Sequence, residues 1–204
     1  MNQAKKPKKI IGILALQGDY EAHRNVLEER LGKATAFVRT PGALEGVDAL
    51  ILPGGESTTI GKLMARNGLD KALTARAQAG MPIYGTCAGL ILLARGIEGQ
   101  PDQPTLGLMD VQVARNAFGR QIESFEADVP FTAGNSAEET PVQGVFIRAP
   151  YVTQAGPDVQ VLSRFRDKIV GVRQGHLLGT AFHPELTEDP RVHAYFAQMV
   201  EEQE

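Results

Sequence analysis

The chain has a single cysteine, Cys87, and it stands in Gly85-Thr86-Cys87-Ala88-Gly89, with the short apolar run Ile83-Tyr84 before it and the run Leu90 to Ala94 after it. A Gly-x-Cys-x-Gly spacing between a strand and a helix is that of an elbow that presents a nucleophile. Side chains at the two flanking positions would crowd the backbone of so tight a turn. A sulfur at a helix N-terminus is also favoured as thiolate by the helix dipole and the free N–H groups. The competing reading is a buried cysteine between two turn glycines, since cysteine is among the most buried residue types. A second stretch, Phe182-His183-Pro184-Glu185, shifts the balance. In an extended segment residues two apart point the same way, and Pro184 biases His183 toward extended geometry. His183 and Glu185 are therefore expected to share one face. A carboxylate beside an imidazole holds one ring nitrogen protonated and aims the other at a partner. Alone, this stretch reads more simply as a turn with a surface glutamate. With the elbow, Cys87, His183 and Glu185 read as nucleophile, base and orienter in chain order.

Pro53-Gly54-Gly55-Glu56-Ser57-Thr58-Thr59 is a third candidate. It fails as a Walker phosphate loop, because Gly55 and Gly61-Lys62 are one residue too far apart and Leu63 stands where Ser or Thr is needed. Two glycines after a strand can instead turn backbone N–H groups toward an oxyanion, with the Ala88 N–H as the second donor. The plainer reading is a tight turn in which Ser57 or Thr58 caps the next helix, and both can hold at once. Arg115, Arg120 and Arg148 are candidates for gripping a carboxylate in two places. A solvated role is the default for any arginine, but Arg148 follows Val145-Phe146-Ile147 and precedes Ala149-Pro150. His23, His176 and His193 have no evident partners in sequence and read as structural or surface residues. The four histidines are scattered, no pair has the usual ligand spacing, and no metal site is expected.

The elements that must position these residues alternate in the first half. Ile10 to Leu16 is a continuous apolar run, as in a strand covered on both faces, and Asp19 can cap a helix over Tyr20 to Leu31. Thr35 to Arg39 is a second strand, closed by Pro41-Gly42, and Val47 to Leu52 is a third. Helices follow around Ile60 to Met64 and over Leu69 to Ala79, before the elbow strand. Short connections between alternating strands and helices signal a parallel sheet covered by helices. Ligands of such sheets bind beyond the carboxyl ends of the strands, where both the Gly54-Gly55 loop and Cys87 lie. The second half is richer in strands: Leu106 to Ala114, Ser124 to Val129, Gly144 to Arg148, Val159 to Phe165, Lys168 to Gln174 and His176 to Phe182. Ile97 to Thr105 and Thr132 to Pro141 read as loops. A last helix runs from about Asp189 to Glu202, with Val192, Phe196, Met199 and Val200 on one face.

Length, charge and cysteine usage bound the rest. The 204 residues suit one domain with a sizeable core, here residues 10–204 after a basic, disordered tail Met1 to Lys9 that carries four lysines. A net charge of −3 argues against nucleic acid as a main partner. One cysteine excludes an internal disulfide and fits a reducing compartment, and no apolar run approaches membrane-spanning length. A cytoplasmic location is expected.

Taken together, these residues resemble the class I (triad) glutamine amidotransferase family. Within it the chain resembles the glutaminase subunits of pyridoxal 5′-phosphate synthases. The matching stretches are Leu16-Gln17-Gly18, Gly54-Gly55-Glu56-Ser57-Thr58-Thr59, Gly85-Thr86-Cys87-Ala88-Gly89-Leu90, Arg115-Asn116, Phe118-Gly119-Arg120-Gln121, Ser124-Phe125-Glu126-Ala127, Phe146-Ile147-Arg148-Ala149-Pro150 and Phe182-His183-Pro184-Glu185-Leu186. The resemblance implies a flavodoxin-like three-layer α/β/α fold with a mixed, mostly parallel central sheet. It implies hydrolysis of L-glutamine, with ammonia passed to a separate synthase subunit in a large hetero-oligomeric complex, and no cofactor. Carried over by position, Cys87, His183 and Glu185 are catalytic, and Gly54, Gly55 and Ala88 form the oxyanion hole. Gly55, Glu56, Ser57, Arg115, Ile147 and Arg148 bind glutamine. Two rival readings stand beside this one. A glutaminase serving another synthase, such as that of histidine biosynthesis, is opposed by the arginine motifs. A non-hydrolytic relative with a redox or binding cysteine is opposed by the His183-x-Glu185 pair.

Overall fold

A computed structural model of the chain describes residues 8–115, 124–132 and 140–203. Its first half is a series of strand and helix units: β1 (Ile10–Leu14), α1 (Tyr20–Asn25), β2 (Ala34–Val38), α2 (Pro41–Glu45), β3 (Ala49–Leu52), α3 (Ser57–Asn67), α4 (Leu69–Gln78), β4 (Ile83–Thr86) and α5 (Ala88–Leu93). The second half carries β5 (Ala94–Ile97), β6 (Met109–Ala114), β7 (Ser124–Phe131), β8 (Thr140–Ile147), β9 (Tyr151–Ala155), β10 (Gln160–Phe165), β11 (Lys168–Gln174), β12 (Leu177–Thr180), a 3₁₀ turn Pro184–Leu186 and α6 (Arg191–Glu201).

The centre is a parallel sheet in the order β2-β1-β3-β4-β12, the doubly wound arrangement. All residues of β3, β4 and β12 are buried. That is why these strands read as unbroken apolar runs rather than as alternation. Beyond β12 the sheet turns antiparallel through β11, β9 and β6, and β5 closes it parallel to β6. The sheet is thus mixed and mostly parallel, as expected. β7 and β8 form a separate hairpin, on which Phe125 stacks against Phe146 with ring centroids 4.6 Å apart. Phe146 in turn packs 5.6 Å from Phe182, so the hairpin is fastened to the segment that carries His183.

Several elements differ from their sequence outlines. The helix beginning at Tyr20 widens into a π-helical segment over Val26–Arg30. Pro41-Gly42 opens the short helix α2, because Thr40 accepts the Ala43 N–H and proline suits a first helical turn. The apolar run Leu90 to Ala94 is divided: α5 ends at Leu93 and Ala94 turns extended to start β5. β9 has no counterpart in the sequence outline. Residues 1–7 of the basic tail, Arg120 with the motif around it, and residues 133–139 of the Thr132 to Pro141 loop lie outside the described residues.

Candidate active site

β4 delivers the chain into Cys87, whose φ of 48° and ψ of −99° lie where side chains rarely sit. The conformation is held from several sides. Cys87 N–H donates to the Thr180 carbonyl at 2.8 Å, and the Cys87 carbonyl accepts from Ile91 N–H at 3.2 Å. A Cβ on Gly89 would fall on the Leu52 carbonyl oxygen, and one on Gly85 would fall on the backbone of Gly89. The elbow is thus wedged between β3 and β12 with no room for side chains at its flanks.

His183 follows β12, and its N–H donates to the Val145 carbonyl at 2.8 Å, extending the edge of β8. Its Nδ1 donates to Glu185 Oε1 at 2.7 Å. The extended segment expected here is replaced after His183 by the 3₁₀ turn Pro184–Leu186. The turn, with Pro184 setting its first φ, carries Glu185 beneath the imidazole, and the Glu185 side chain is fully buried. From the opposite side Gly54 abuts the ring, since a Cβ on Gly54 would land on His183 Cε1.

Burial by itself would push the His183 imidazole down, but hydrogen bonds to Cys87 and Glu185 and their negative charge outweigh it and raise its pKa from 6.5 to about 10. Burial would likewise raise the Glu185 carboxyl. The His23 imidazole beside it and the hydrogen bond from His183 instead hold it well below the usual carboxylate range.

One cleft of about 450 Å³ brings the predicted site residues together: Cys87, Ala88, His183, Gly54, Gly55, Glu56, Ser57, Arg115, Ile147 and Arg148 all line it. Glu185 lies behind His183, away from the lining. The Glu56 carboxylate is the cap of α3, accepting from Thr58 N–H at 3.1 Å and from Thr59 N–H and Oγ1 at 2.8 and 2.7 Å. These donors outweigh its partial burial and lower its pKa to about 2. The cap expected from Ser57 or Thr58 therefore belongs to Glu56, while buried Ser57 accepts from Gln103 Nε2 at 2.9 Å. Arg115 donates to Gln103 Oε1 at 2.8 Å and sits 3.7 Å from Glu56 Oε1. Arg148, with a φ of 42°, pairs with no carboxylate among the described residues.

The sequence reading assigns no site role to Gln17 or Gln103 and takes His23 and His193 as structural or surface residues. Gln17 Oε1 accepts the Glu56 N–H at 2.8 Å and anchors the glycine loop. Its place just past the carboxyl end of β1 was the signal available. His23 and His193 are not surface residues: both are fully buried, with His23 Nδ1 2.9 Å from His193 Nε2. No group of three His, Cys, Asp or Glu side chains among the described residues is arranged to hold a metal ion. No helix among them is long and apolar enough to cross a membrane.

Residues 13–202 match the model of the SNO glutamine amidotransferase family. The chain belongs to that family. Pyridoxal 5′-phosphate synthase subunit PdxT of Pelotomaculum thermopropionicum is 54% identical over 188 residues, covering 92% of this chain and 93% of that protein. The subunit of the same name from Thermus thermophilus is 52% identical, with 93% of this chain and 97% of that protein covered. A crystal structure described as a glutamine amidotransferase superposes with a TM-score of 0.87 at 49% identity, over 94% of this chain and 98% of that one. PurLQS from Thermotoga maritima shares the fold at a TM-score of 0.68 and 17% identity, covering 94% and 98% of the two chains. The helix-flanked, mostly parallel sheet of this SNO family member is thus a class I glutamine amidotransferase fold, as the resemblance implied.

Proposed function

We propose that the chain hydrolyses L-glutamine to L-glutamate and ammonia at Cys87 and hands the ammonia to a synthase subunit that makes pyridoxal 5′-phosphate. The observation that carries this reading is the elbow cysteine sharing one cleft with an imidazole whose Nδ1 is held by a buried carboxylate at 2.7 Å. Relatives about 50% identical that are named as PdxT subunits supply the pathway and the partner.

The chemistry follows from the geometry. Glutamine enters with its carboxamide carbon against Cys87 Sγ, and the thiolate attacks it. The developing oxyanion is held by the Ala88 N–H and the Gly54-Gly55 backbone. With Nδ1 committed to Glu185, His183 uses Nε2. It gives that proton to the departing amine, which leaves as ammonia, and a γ-glutamyl thioester remains on Cys87. Nε2 then takes a proton from water, whose oxygen attacks the thioester. Glutamate leaves and the thiolate is restored. Glu185 keeps the proton of Nδ1 in place through both halves. Arg148 is the arginine open to the substrate α-carboxylate, and Arg115 shapes the opposite wall through Gln103 and Glu56. A redox or binding cysteine would have no use for a proton donor so arranged.

The test is rapid acid quench of the chain with glutamine, in the presence of synthase subunit, followed by peptide mass spectrometry. A glutamyl adduct on the Cys87 peptide, absent from Cys87→Ala, is expected. Glutamate release that persists in Cys87→Ala would overturn the assignment.

A further inference from the structure

The reaction above uses three side chains, yet the imidazoles of His23 on α1 and His193 on α6 are buried directly behind them with no role in it. His23 Nε2 lies 3.2 Å from Thr86 Oγ1 and 3.4 Å from Glu185 Oε1, the same oxygen that binds His183. Thr86 is the residue before the nucleophile. We propose that His23, held in register by His193, is a positioning residue that donates its Nε2–H toward Glu185 and keeps that carboxylate ionised and aimed at His183. This rests on the reading of Cys87, His183 and Glu185 as the catalytic unit.

The hydrogen-bond inventory fixes the direction of donation. Glu185 is fully buried and its Oε2 has no partner among the described residues, so Oε1 carries the stabilisation of the charge. A buried carboxylate with one donor is costly and tends to take up a proton; a second donor opposes that. His193 is held neutral, since burial pushes its pKa down to about 3. It therefore carries one ring proton, and its Nδ1 is buried with no partner among the described residues. Unpaired buried N–H groups are rarer than unpaired acceptors, which places the proton on Nε2, facing His23 Nδ1. His23 Nδ1 is then an acceptor, and its own proton sits on Nε2, toward Thr86 and Glu185.

Thr86 Oγ1 at 3.2 Å and Glu185 Oε1 at 3.4 Å share that proton, and the other groups around the pair do not compete for it. From β4, the Tyr84 hydroxyl is engaged with Thr180 Oγ1 at 2.9 Å, and its ring meets His23 and His193 edge-on at 6.4 and 5.9 Å. Arg30, at the end of the π-helical segment, acts on His193 only as a like charge that disfavours its protonation. The result is a one-way chain of donors, His193 to His23 to Glu185, that couples the packing of α1 and α6 to the active site.

Two variants and one spectrum test this. His23→Leu removes the donor, and His23→Gln restores an amide N–H near the position of Nε2. In glutaminase assays with synthase subunit present, His23→Leu is expected to lower kcat by roughly tenfold to a hundredfold with little change in KM, the range that outer hydrogen-bond partners carry. The acid limb of its kcat/KM profile should move up by about one pH unit or more as Glu185 becomes easier to protonate. His23→Gln should return both toward wild type. A profile of wild-type shape in His23→Leu, or His23→Gln no better than His23→Leu, would overturn the proposal. If His23→Leu does not fold, long-range ¹H–¹⁵N correlation on the wild-type chain decides: a proton on His23 Nε2 supports the proposal, and a bare Nε2 overturns it. Loss of activity in Cys87→Ala belongs to the underlying reading and is scored separately, so the two can fail independently.

Discussion

The proton between Cys87 and His183 is where the account stands at the scale of single residues. A pKa of about 10 means that His183 is an imidazolium at neutral pH, charged against the Cys87 sulfur on one side and Glu185 on the other. The folded value lies above the ordinary 6.5, so the group stabilises the fold fully below about pH 6.5 and loses that contribution as pH rises through about 10. Histidine NMR should therefore find His183 still protonated above pH 8. In Cys87→Ala, without the sulfur's hydrogen bond and charge, it should titrate lower. A wild-type His183 that titrates near 6.5 would remove the ion pair from the mechanism. The arginines give a second prediction. Arg148→Met should raise KM for glutamine by at least tenfold with a smaller effect on kcat, because a charge-assisted carboxylate contact contributes roughly 1.5–3 kcal/mol. Arg115→Met should do less to KM, since its guanidinium is already engaged by Gln103 and Glu56. Steady-state kinetics of the two variants side by side would show this, and equal KM values for both and for wild type would return Arg148 to a structural role. The place of Cys87 and His183 in the cleft was legible in the sequence because each carries local punctuation, two glycines or a proline. His23 and His193 were not, because they meet each other across 170 positions of the chain.

At the scale of elements, the strand-to-helix elbow is the rigid part of the site. Gly89→Ala puts a Cβ onto the Leu52 carbonyl oxygen, backbone that cannot swing aside. The elbow would have to move away from β3, at a cost of about 1–3 kcal/mol typical of overpacking, and Cys87 would be displaced with it. Urea unfolding beside a glutaminase assay should show both losses; wild-type stability and activity together would refute the wedge. The parallel strands were readable because burial on both faces leaves unbroken apolar runs. β5 was hidden for the same reason: Leu90 to Ala94 is apolar throughout, and periodicity cannot show where a buried helix becomes a buried strand. From sequence alone, Pro184 points to a stiff extended segment. The His183 N–H bond to Val145 and the 3₁₀ turn after it bring Glu185 to the ring by another route, set by tertiary contact with β8.

At the scale of the whole molecule, the cleft opens beyond the carboxyl ends of β1, β3 and β4, where the order of the parallel sheet reverses. Half-exposed Ile147 and Leu186 stand at this cleft, the large apolar side chains left uncovered among the described residues. A synthase subunit seated there would cover them, steady the glycine loop and receive ammonia at its source. Two adjacent glycines have little intrinsic preference between peptide orientations, and each oxyanion donor is typically worth about a hundredfold or more in kcat. The isolated chain is accordingly expected to be a weak glutaminase. The most direct measurement is glutamate and ammonia production from L-glutamine while purified synthase subunit is titrated into the chain, with Cys87→Ala run in parallel. The account predicts equal amounts of the two products, rising with synthase to a plateau and absent throughout from Cys87→Ala. Production that is unaffected by the loss of Cys87, or that never rises above background at saturating synthase, would contradict it.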